Sequence, residues 1–157
     1  MNTIAPPSKA FVYSAWASLG IGLIAYLIGI YNAGMELNEK GYYLIAILFG
    51  LYSAISVQKT VRDRLEGVQF TNLYYGLSWA AFGSAVILLA IGLWNAELAL
   101  SEKGFFGMSF TLSLFSAICV QKNARDLLAE GKLDMDPENT EPFELYEEQP
   151  TAGSATL

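Results

Sequence analysis

Two clusters of amide and charged side chains with the same internal spacing are the residues of this sequence best suited to binding. The clusters are Gln58, Lys59, Arg62 and Asp63, and Gln121, Lys122, Arg125 and Asp126. Residues four positions apart are neighbours on a helix, so Lys59 would pair with Asp63 in a charged turn. Long basic side chains at a membrane surface reach lipid phosphates. Two interpretations stay open: ion pairing that fixes topology, or a basic ring that holds anionic lipid or a protein partner.

A second repeated motif predicts the start of a helix. It reads Asn38-Glu39-Lys40-Gly41 in one place and Ser101-Glu102-Lys103-Gly104 in the other. Asn and Ser are both good helix N-caps, and a Glu just inside a helix favours its positive end. We therefore expect a structural role for this motif. The alternative is a periplasmic recognition patch made of four charged residues, Glu39, Lys40, Glu102 and Lys103.

Asn32 and Asn95 are repeated polar residues near the ends of apolar stretches. Their expected role is to end a helix or to bond to a partner helix, which is worth roughly 0.6–2 kcal/mol inside a membrane. The alternative is a water-filled path lined by these two residues together with Ser53 and Ser116.

The composition excludes several kinds of site. The chain has no His and one Cys, Cys119, which excludes an intramolecular disulfide, a His-containing metal site and a His-based catalytic triad. The apolar stretches carry no ionisable acid or base, which argues against an ion-coupled transporter. We predict no catalytic, cofactor-binding or metal-binding residues, no enzyme activity and no nucleic-acid partner.

Four apolar stretches must position the polar residues. Charged residues make up 15% of the 157 residues, below the roughly 25% of soluble domains. The intervals without any charge are 10–35, 41–58, 67–96 and 104–121. A helix needs roughly 20 apolar residues to cross a bilayer core, and only helices or closed barrels pair every backbone group in lipid. The prediction is an all-α integral membrane protein with four transmembrane helices.

The second half of the chain repeats the first. Residues 29–63 match residues 92–126 at 16 of 35 positions without a gap, whereas composition alone gives about one match in fifteen positions. Because each unit contains two helices, the copies form a parallel internal repeat of two tandem helical hairpins. We predict an N-terminal segment, two hairpins and an acidic, disordered tail, over residues 1–9, 10–66, 67–129 and 130–157.

Basic residues set the predicted orientation. The two hairpin tips carry one Lys each, and the opposite ends carry seven basic residues: Lys9, Lys59, Arg62, Arg64, Lys122, Arg125 and Lys132. By the positive-inside rule, both termini and the central loop are cytoplasmic.

Small residues at four-residue spacing predict close helix packing. They are Ser14, Ser18 and Gly22, then Ala25, Gly29 and Ala33, in the first helix, Ala46, Gly50 and Ala54 in the second, Gly76, Ala80 and Ser84 in the third, and Ser109, Ser113 and Ala117 in the fourth. Small faces let helix backbones approach closely in lipid. Because these faces outnumber those that a four-helix bundle needs, we also consider a homo-oligomer or a contact with another membrane protein.

The repeated strings resemble a known family. They are Asn32-Ala33, Leu37-Asn38-Glu39-Lys40-Gly41-Tyr42-Tyr43 and Gln58-Lys59-Thr60-Val61-Arg62-Asp63, with counterparts beginning at Trp94, Leu100 and Gln121. Over roughly residues 11–126 the chain is similar to the YiaA/YiaB family of bacterial inner membrane proteins, in the branch with two YiaAB two-helix domains. The resemblance implies an inner membrane location and a four-helix topology. It implies no activity and no binding residues.

The expected function follows from these exclusions and from the packing pattern. We predict a multi-pass bacterial inner membrane protein, not an enzyme, with a structural, stress-related, or partner- or lipid-binding role. The alternative is a small passive channel or exporter formed by oligomerisation, which would need the polar path of Asn and Ser residues described above.

Overall fold

The computed structural model describes residues 7–68 and 71–129, which form four long α-helices. They are α1 (Lys9–Asn32), α2 (Leu37–Leu65), α3 (Asn72–Asn95) and α4 (Leu100–Ala129). Each helix contains a stretch long and apolar enough to cross a membrane, so the predicted spans are confirmed as helices. The described residues contain no strand. The predicted acidic tail and residues 1–6 of the predicted N-terminal segment lie outside the described residues.

Two ends of the bundle need names. We call the end with residues 33–36 and 96–99 the loop end, and the end with Lys9, Glu66, Thr71 and Ala129 the terminal end. Helices α2 and α4 continue past the uncharged stretches to Leu65 and Ala129. Both repeated basic clusters therefore lie in helix, near the terminal end.

The first helix of each copy ends with the same geometry. Ala33 and Ala96 follow α1 and α3 with extended backbones, at ψ angles of 137° and 140°. Their N–H groups donate to the carbonyls of Gly29 and Gly92, both at 2.9 Å. The duplication is therefore preserved in the hydrogen bonds of the turn as well as in the sequence.

The second helix of each copy begins earlier than predicted. The N-cap of α2 is Glu36, and α4 begins at Leu100, so Asn38 and Ser101 lie inside the first turn instead of capping it. A carboxylate replaces the expected amide or hydroxyl cap, because Glu39 Oε2 accepts the Glu36 N–H at 2.9 Å. The acidic residue therefore satisfies a backbone donor that a helix start otherwise leaves unpaired.

The helices pack across the two copies more than within them. The most extensive contacts join α1 to α4 and α2 to α3, and α2 also touches α4 at the centre. Contacts between α1 and α2, which share a short loop, are sparse. Each hairpin therefore supplies the packing surface for the other hairpin, an arrangement with the two-fold relation that the repeat predicts.

Glycines allow the close approaches between copies. A Cβ on Gly29 would lie 3.2 Å from the Phe105 and Phe106 rings, and one on Gly92 would lie 2.6 Å from the Tyr42 ring. These two contacts are the same contact in the two copies. The predicted small stripes of α2 and α4 are buried, which agrees with close packing.

The small residues of α3 are exposed and do not pack against the neighbouring helices as predicted. Gly76, Ala80 and Ser84 are exposed, and the buried residues of α3 are Ser78, Ala85 and Leu89. The reason is that α3 meets the bundle through one face only, and the sequence offers small residues on two.

Candidate functional site: a basic groove at the terminal end

A groove of about 530 Å³ lies between α2, α3 and α4 near the terminal end. It gathers four polar residues from the two repeated clusters: Gln58, Arg62, Lys122 and Arg125. Its apolar wall is formed by Ala54, Val57, Val61, Leu65, Trp79, Phe82 and Ile118. Residues from both copies of the repeat therefore line one site, which we call the basic groove.

The spacing of residues along α2 and α4 explains why these polar residues line one groove. Gln58 and Arg62 are four residues apart on α2, and Ile118 and Lys122 are four apart on α4, so each pair shares a helix face. The two helices touch at the centre of the bundle. Lys59 is exposed and outside the groove lining, so three of the four predicted basic residues come together.

The basic residues of the groove form ion pairs with acidic residues that do not line it. Arg62 Nε lies 3.2 Å from Glu66 Oε1, but Nε has no hydrogen bond, so the contact is an ion pair only. Lys122 Nζ lies 3.6 Å from Asp126 Oδ2. The pair predicted between Lys59 and Asp63 in the first copy is not among the ion pairs of the described residues. Asp63 Oδ1 lies 3.9 Å from Arg62 Nη2, a contact whose counterpart in the second copy joins Asp126 to Arg125.

Arg125 and Gln58 each carry a buried polar atom that has no hydrogen-bond partner among the described residues. Arg125 Nη2 lies 3.4 Å from Asp126 Oδ1, while Nη1 is the buried atom without a partner. Gln58 Oε1 is buried and unpaired in the same way. Buried polar atoms are costly unless they are hydrogen-bonded. The surface of the groove is formed almost wholly by apolar atoms, so the basic residues line it mainly with their aliphatic stems.

The charged residues of the repeated turns have partners in the protein itself. Lys40 Nζ donates to the Tyr31 carbonyl at 3.1 Å, and Lys103 Nζ donates to the Trp94 carbonyl at 3.4 Å. Each lysine thus satisfies a carbonyl at the end of the preceding helix. Sequence reasoning missed this role, although the nine-residue spacing from each lysine to the last turn of the preceding helix recurs in both copies.

Glu102 acts like Glu39. Its Oε2 accepts the Ala99 N–H at 2.8 Å, and Ala99 has no side chain that could cap the helix. The four charged residues of the alternative recognition patch therefore bond to backbone groups at helix ends. Their contacts favour the structural interpretation over the recognition patch.

The structure does not bring together the four residues of the suggested polar path. Asn32 and Asn95 are exposed at the loop end, and Asn95 Nδ2 donates to the Ile91 carbonyl of its own helix at 2.9 Å. Ser53 and Ser116 are buried and lie sixteen residues into their helices, which is about 24 Å from the loop end. Ser53 Oγ donates to the Gly50 carbonyl at 3.0 Å.

Comparison with known proteins gives the family. The model of the yiaA/B two-helix domain matches residues 11–63 and 74–126. The chain belongs to the YiaAB family. Both basic clusters lie within the two matched domains, so the basic groove is formed where the two YiaAB domains meet. No solved structure matches the chain.

Two proteins similar to this chain are membrane proteins. It is 53% identical over 125 residues to the inner membrane protein YiaA of Escherichia coli (strain K12), covering 80% of this chain and 86% of the relative. It is 41% identical over 58 residues to the uncharacterized membrane protein YubF of Bacillus subtilis (strain 168), covering 36% of this chain and 67% of that protein. Together with the four spans, these relatives support a multi-pass inner membrane location.

Proposed function

We propose that this YiaAB protein is a non-enzymatic, structural component of the inner membrane that binds anionic phospholipid headgroups in the basic groove. The observation that carries the proposal is the convergence of Arg62, Lys122 and Arg125 on an apolar wall near the terminal end. Basic pockets between transmembrane helices at the cytoplasmic side bind phosphorylated headgroups. In the proposed orientation both termini are cytoplasmic, so the groove faces the inner leaflet.

The position of Trp79 supports a site at the membrane surface. Trp79 lines the groove, and tryptophan is enriched where hydrocarbon meets headgroups. Lys122 is one turn beyond Ile118 on α4, so the apolar wall gives way to charge over about 6 Å. This change from apolar to basic matches the change from acyl chain to phosphate.

The neighbouring acids leave one donor of Arg125 without a partner. Asp126 contacts Arg125 through Nη2 and Lys122 through Nζ, whereas the buried Arg125 Nη1 has no hydrogen-bond partner among the described residues. An anionic oxygen beside Nη1 would receive a charge-assisted hydrogen bond, which is stronger than a neutral one.

The absence of enzyme activity is part of the proposal. The chain contains no His, and residues 7–68 and 71–129 contain no group of three side chains that could hold a metal ion. A homo-oligomer stays a prediction as well. The exposed small stripe of α3 is the face on which a second copy would pack.

The proposal is tested by lipid retention. We would purify the protein in mild detergent with mixed phosphatidylglycerol and phosphatidylethanolamine, and count bound lipids by native mass spectrometry. We expect phosphatidylglycerol to be enriched, and Arg125→Gln to lower this enrichment about fivefold, because one basic residue near an anionic surface contributes about 1 kcal/mol.

Lys59→Gln is the matched control. It removes one positive charge at the same repeat position as Lys122, but from an exposed residue outside the groove. We expect it to leave lipid selectivity within about twofold of wild type, since the groove keeps its charges. Equal losses in the two variants, or no preference for phosphatidylglycerol in wild type, would contradict the proposal.

A further inference from the structure

A second groove continues from the basic groove into the membrane interior. It has a volume of about 470 Å³ and lies between α3 and α4, the two helices of the second copy, which make little contact with each other. Its walls include Val86, Leu89 and Leu93 of α3, and Gly107 and Phe115 of α4. We call this groove the apolar cleft.

The two grooves share part of their lining. Phe82 and Ile118 line both the basic groove and the apolar cleft. Along α4 the cleft runs from Ile118 to Gly107, eleven residues or about 16 Å of helix. Counted from Lys122, the path to Gly107 is about 22 Å of helix. It therefore enters the cleft about 6 Å from the basic residue and ends about 7 Å beyond the midplane of a hydrocarbon core of about 30 Å.

We propose that the two grooves together bind one phospholipid, whose anionic headgroup lies in the basic groove while one acyl chain fills the apolar cleft. This inference rests on the proposed function and extends it from the headgroup to the whole lipid. The acyl chain replaces the helix-to-helix contact that α3 and α4 lack. The lipid thereby becomes a structural part of the second hairpin.

The shape of the cleft suits an extended acyl chain. Its volume of about 470 Å³ is spread along about 16 Å of α4, and the basic residues lie beyond one end of it. A phospholipid matches this arrangement because its acyl chain continues from an anionic headgroup.

The chemistry of the cleft walls also favours hydrocarbon. The lining is apolar apart from Thr111, whose Oγ1 donates to the Gly107 carbonyl at 2.9 Å. That hydroxyl already has a partner in its own helix. The cleft thus holds an acyl chain by van der Waals packing, because lipid supplies no hydrophobic driving force, and the charge at its mouth selects the headgroup.

A single repeat position at the cleft distinguishes the two hairpins. Tyr26 is buried in the first hairpin, and its Oη donates to the Tyr43 carbonyl of α2 at 3.0 Å. The equivalent residue of α3 is Leu89, which has no hydroxyl and lines the cleft. A tyrosine thus ties α1 to α2, and the leucine leaves the corresponding tie between α3 and α4 unmade.

The test uses quenching of a tryptophan in the cleft by brominated acyl chains. We would replace Trp16, Trp79 and Trp94 by Phe, introduce Phe115→Trp as a reporter because Phe115 lines the cleft, and place the protein in phosphatidylcholine nanodiscs with a minor fraction of phosphatidylglycerol that carries brominated chains. Occupation of the cleft predicts severalfold more quenching than the mole fraction of brominated lipid gives. Gly107→Leu fills the cleft and should return quenching to the mole-fraction level.

Gly104→Leu is the matched control. Built Cβ atoms on Gly104 and Gly107 both meet nothing within 4 Å, so neither leucine obstructs folding, but only Gly107 lines the cleft. We expect Gly104→Leu to retain the excess quenching. Leu89→Tyr, which restores the residue of the first hairpin, should lower it as Gly107→Leu does.

The outcomes separate this inference from the proposed function. Excess quenching that Gly107→Leu leaves unchanged would overturn the inference while phosphatidylglycerol enrichment still supports headgroup binding. Gly107→Leu could instead convert a dimer to a monomer in native mass spectrometry without changing the number of bound lipids. That result would overturn the inference and indicate that a second protein copy occupies the cleft. No excess quenching together with no phosphatidylglycerol enrichment would defeat both.

Discussion

Tyr43 and Phe106 stack on each other with ring centroids 5.4 Å apart and planes 28° apart, and they occupy the same position in the two copies of the repeat. Equivalent residues that touch must lie on the axis relating the copies. The two-fold axis of this YiaAB protein therefore passes between these rings, close to the loop end. Tyr26 joins them, with its ring edge-on to Phe106 at 5.4 Å.

Tyr26→Phe should lower the free energy of unfolding by about 0.5–1.5 kcal/mol, because it removes the hydroxyl that bonds to the Tyr43 carbonyl and keeps the ring. The measurement is SDS-induced unfolding in micelles, followed by circular dichroism. Tyr31→Phe is the control, since Tyr31 is 83% exposed. Equal stability of the two variants would show that the buried hydroxyl does not tie α1 to α2.

Gly22→Ala should destabilise the bundle by about 1–3 kcal/mol, because overpacking forces helices apart. Its Cβ would lie 2.6 Å from Ser113 Oγ and 3.0 Å from the Ser113 backbone nitrogen. Gly20→Ala, two residues away, meets nothing within 4 Å and should stabilise α1 by about 0.5–1 kcal/mol. Opposite signs in thermal unfolding would support the close approach of α1 and α4, and a shared sign would contradict it.

Lys40→Met should cost about 0.5–1.5 kcal/mol of stability, because it removes the donor to the last turn of α1. Lys103→Met should cost less, since its contact is longer, 3.4 Å against 3.1 Å. Lys9→Met is the control, because Lys9 is exposed and begins a helix instead of closing one. The measurement is thermal unfolding of all three variants in micelles. If Lys40 and Lys103 served recognition and not helix capping, Lys40→Met and Lys103→Met would be as stable as wild type.

The proposed orientation makes a prediction about chemical labelling. In a Cys119→Ser background, Asn38→Cys should react with a membrane-impermeant maleimide added to the periplasmic face of intact spheroplasts. Lys9→Cys should react only after lysis, because both termini are proposed to be cytoplasmic. The reverse labelling pattern would show that the bundle has the opposite orientation, with the basic groove in the outer leaflet.

The sequence predicts the spans, the duplication and the family, because length, absence of charge and a repeated polar spacing need no tertiary information. It does not predict that α1 packs on α4 instead of on α2. In lipid every face of a helix is apolar, so periodicity does not identify the partner helix. The small stripe of α3 misleads for the same reason.

The candidate site was likewise predictable only in part from the sequence. The repeated spacing singles out Arg62 and Arg125, but placing them in one groove requires knowing that α2 and α4 meet. The roles of Lys40 and Lys103 were missed because their acceptors are backbone carbonyls, which every residue carries and which no sequence pattern marks.

The exchange of packing partners between the hairpins has a consequence for assembly. A hairpin made alone would leave its main contact surfaces uncovered until it met a second hairpin, at a rate set by how crowded the membrane is. Joining the copies through residues 66–71 turns this encounter into an intramolecular event with a high effective concentration. The fused chain can therefore complete its bundle at any expression level, and the two halves are free to diverge, as Tyr26 and Leu89 have done.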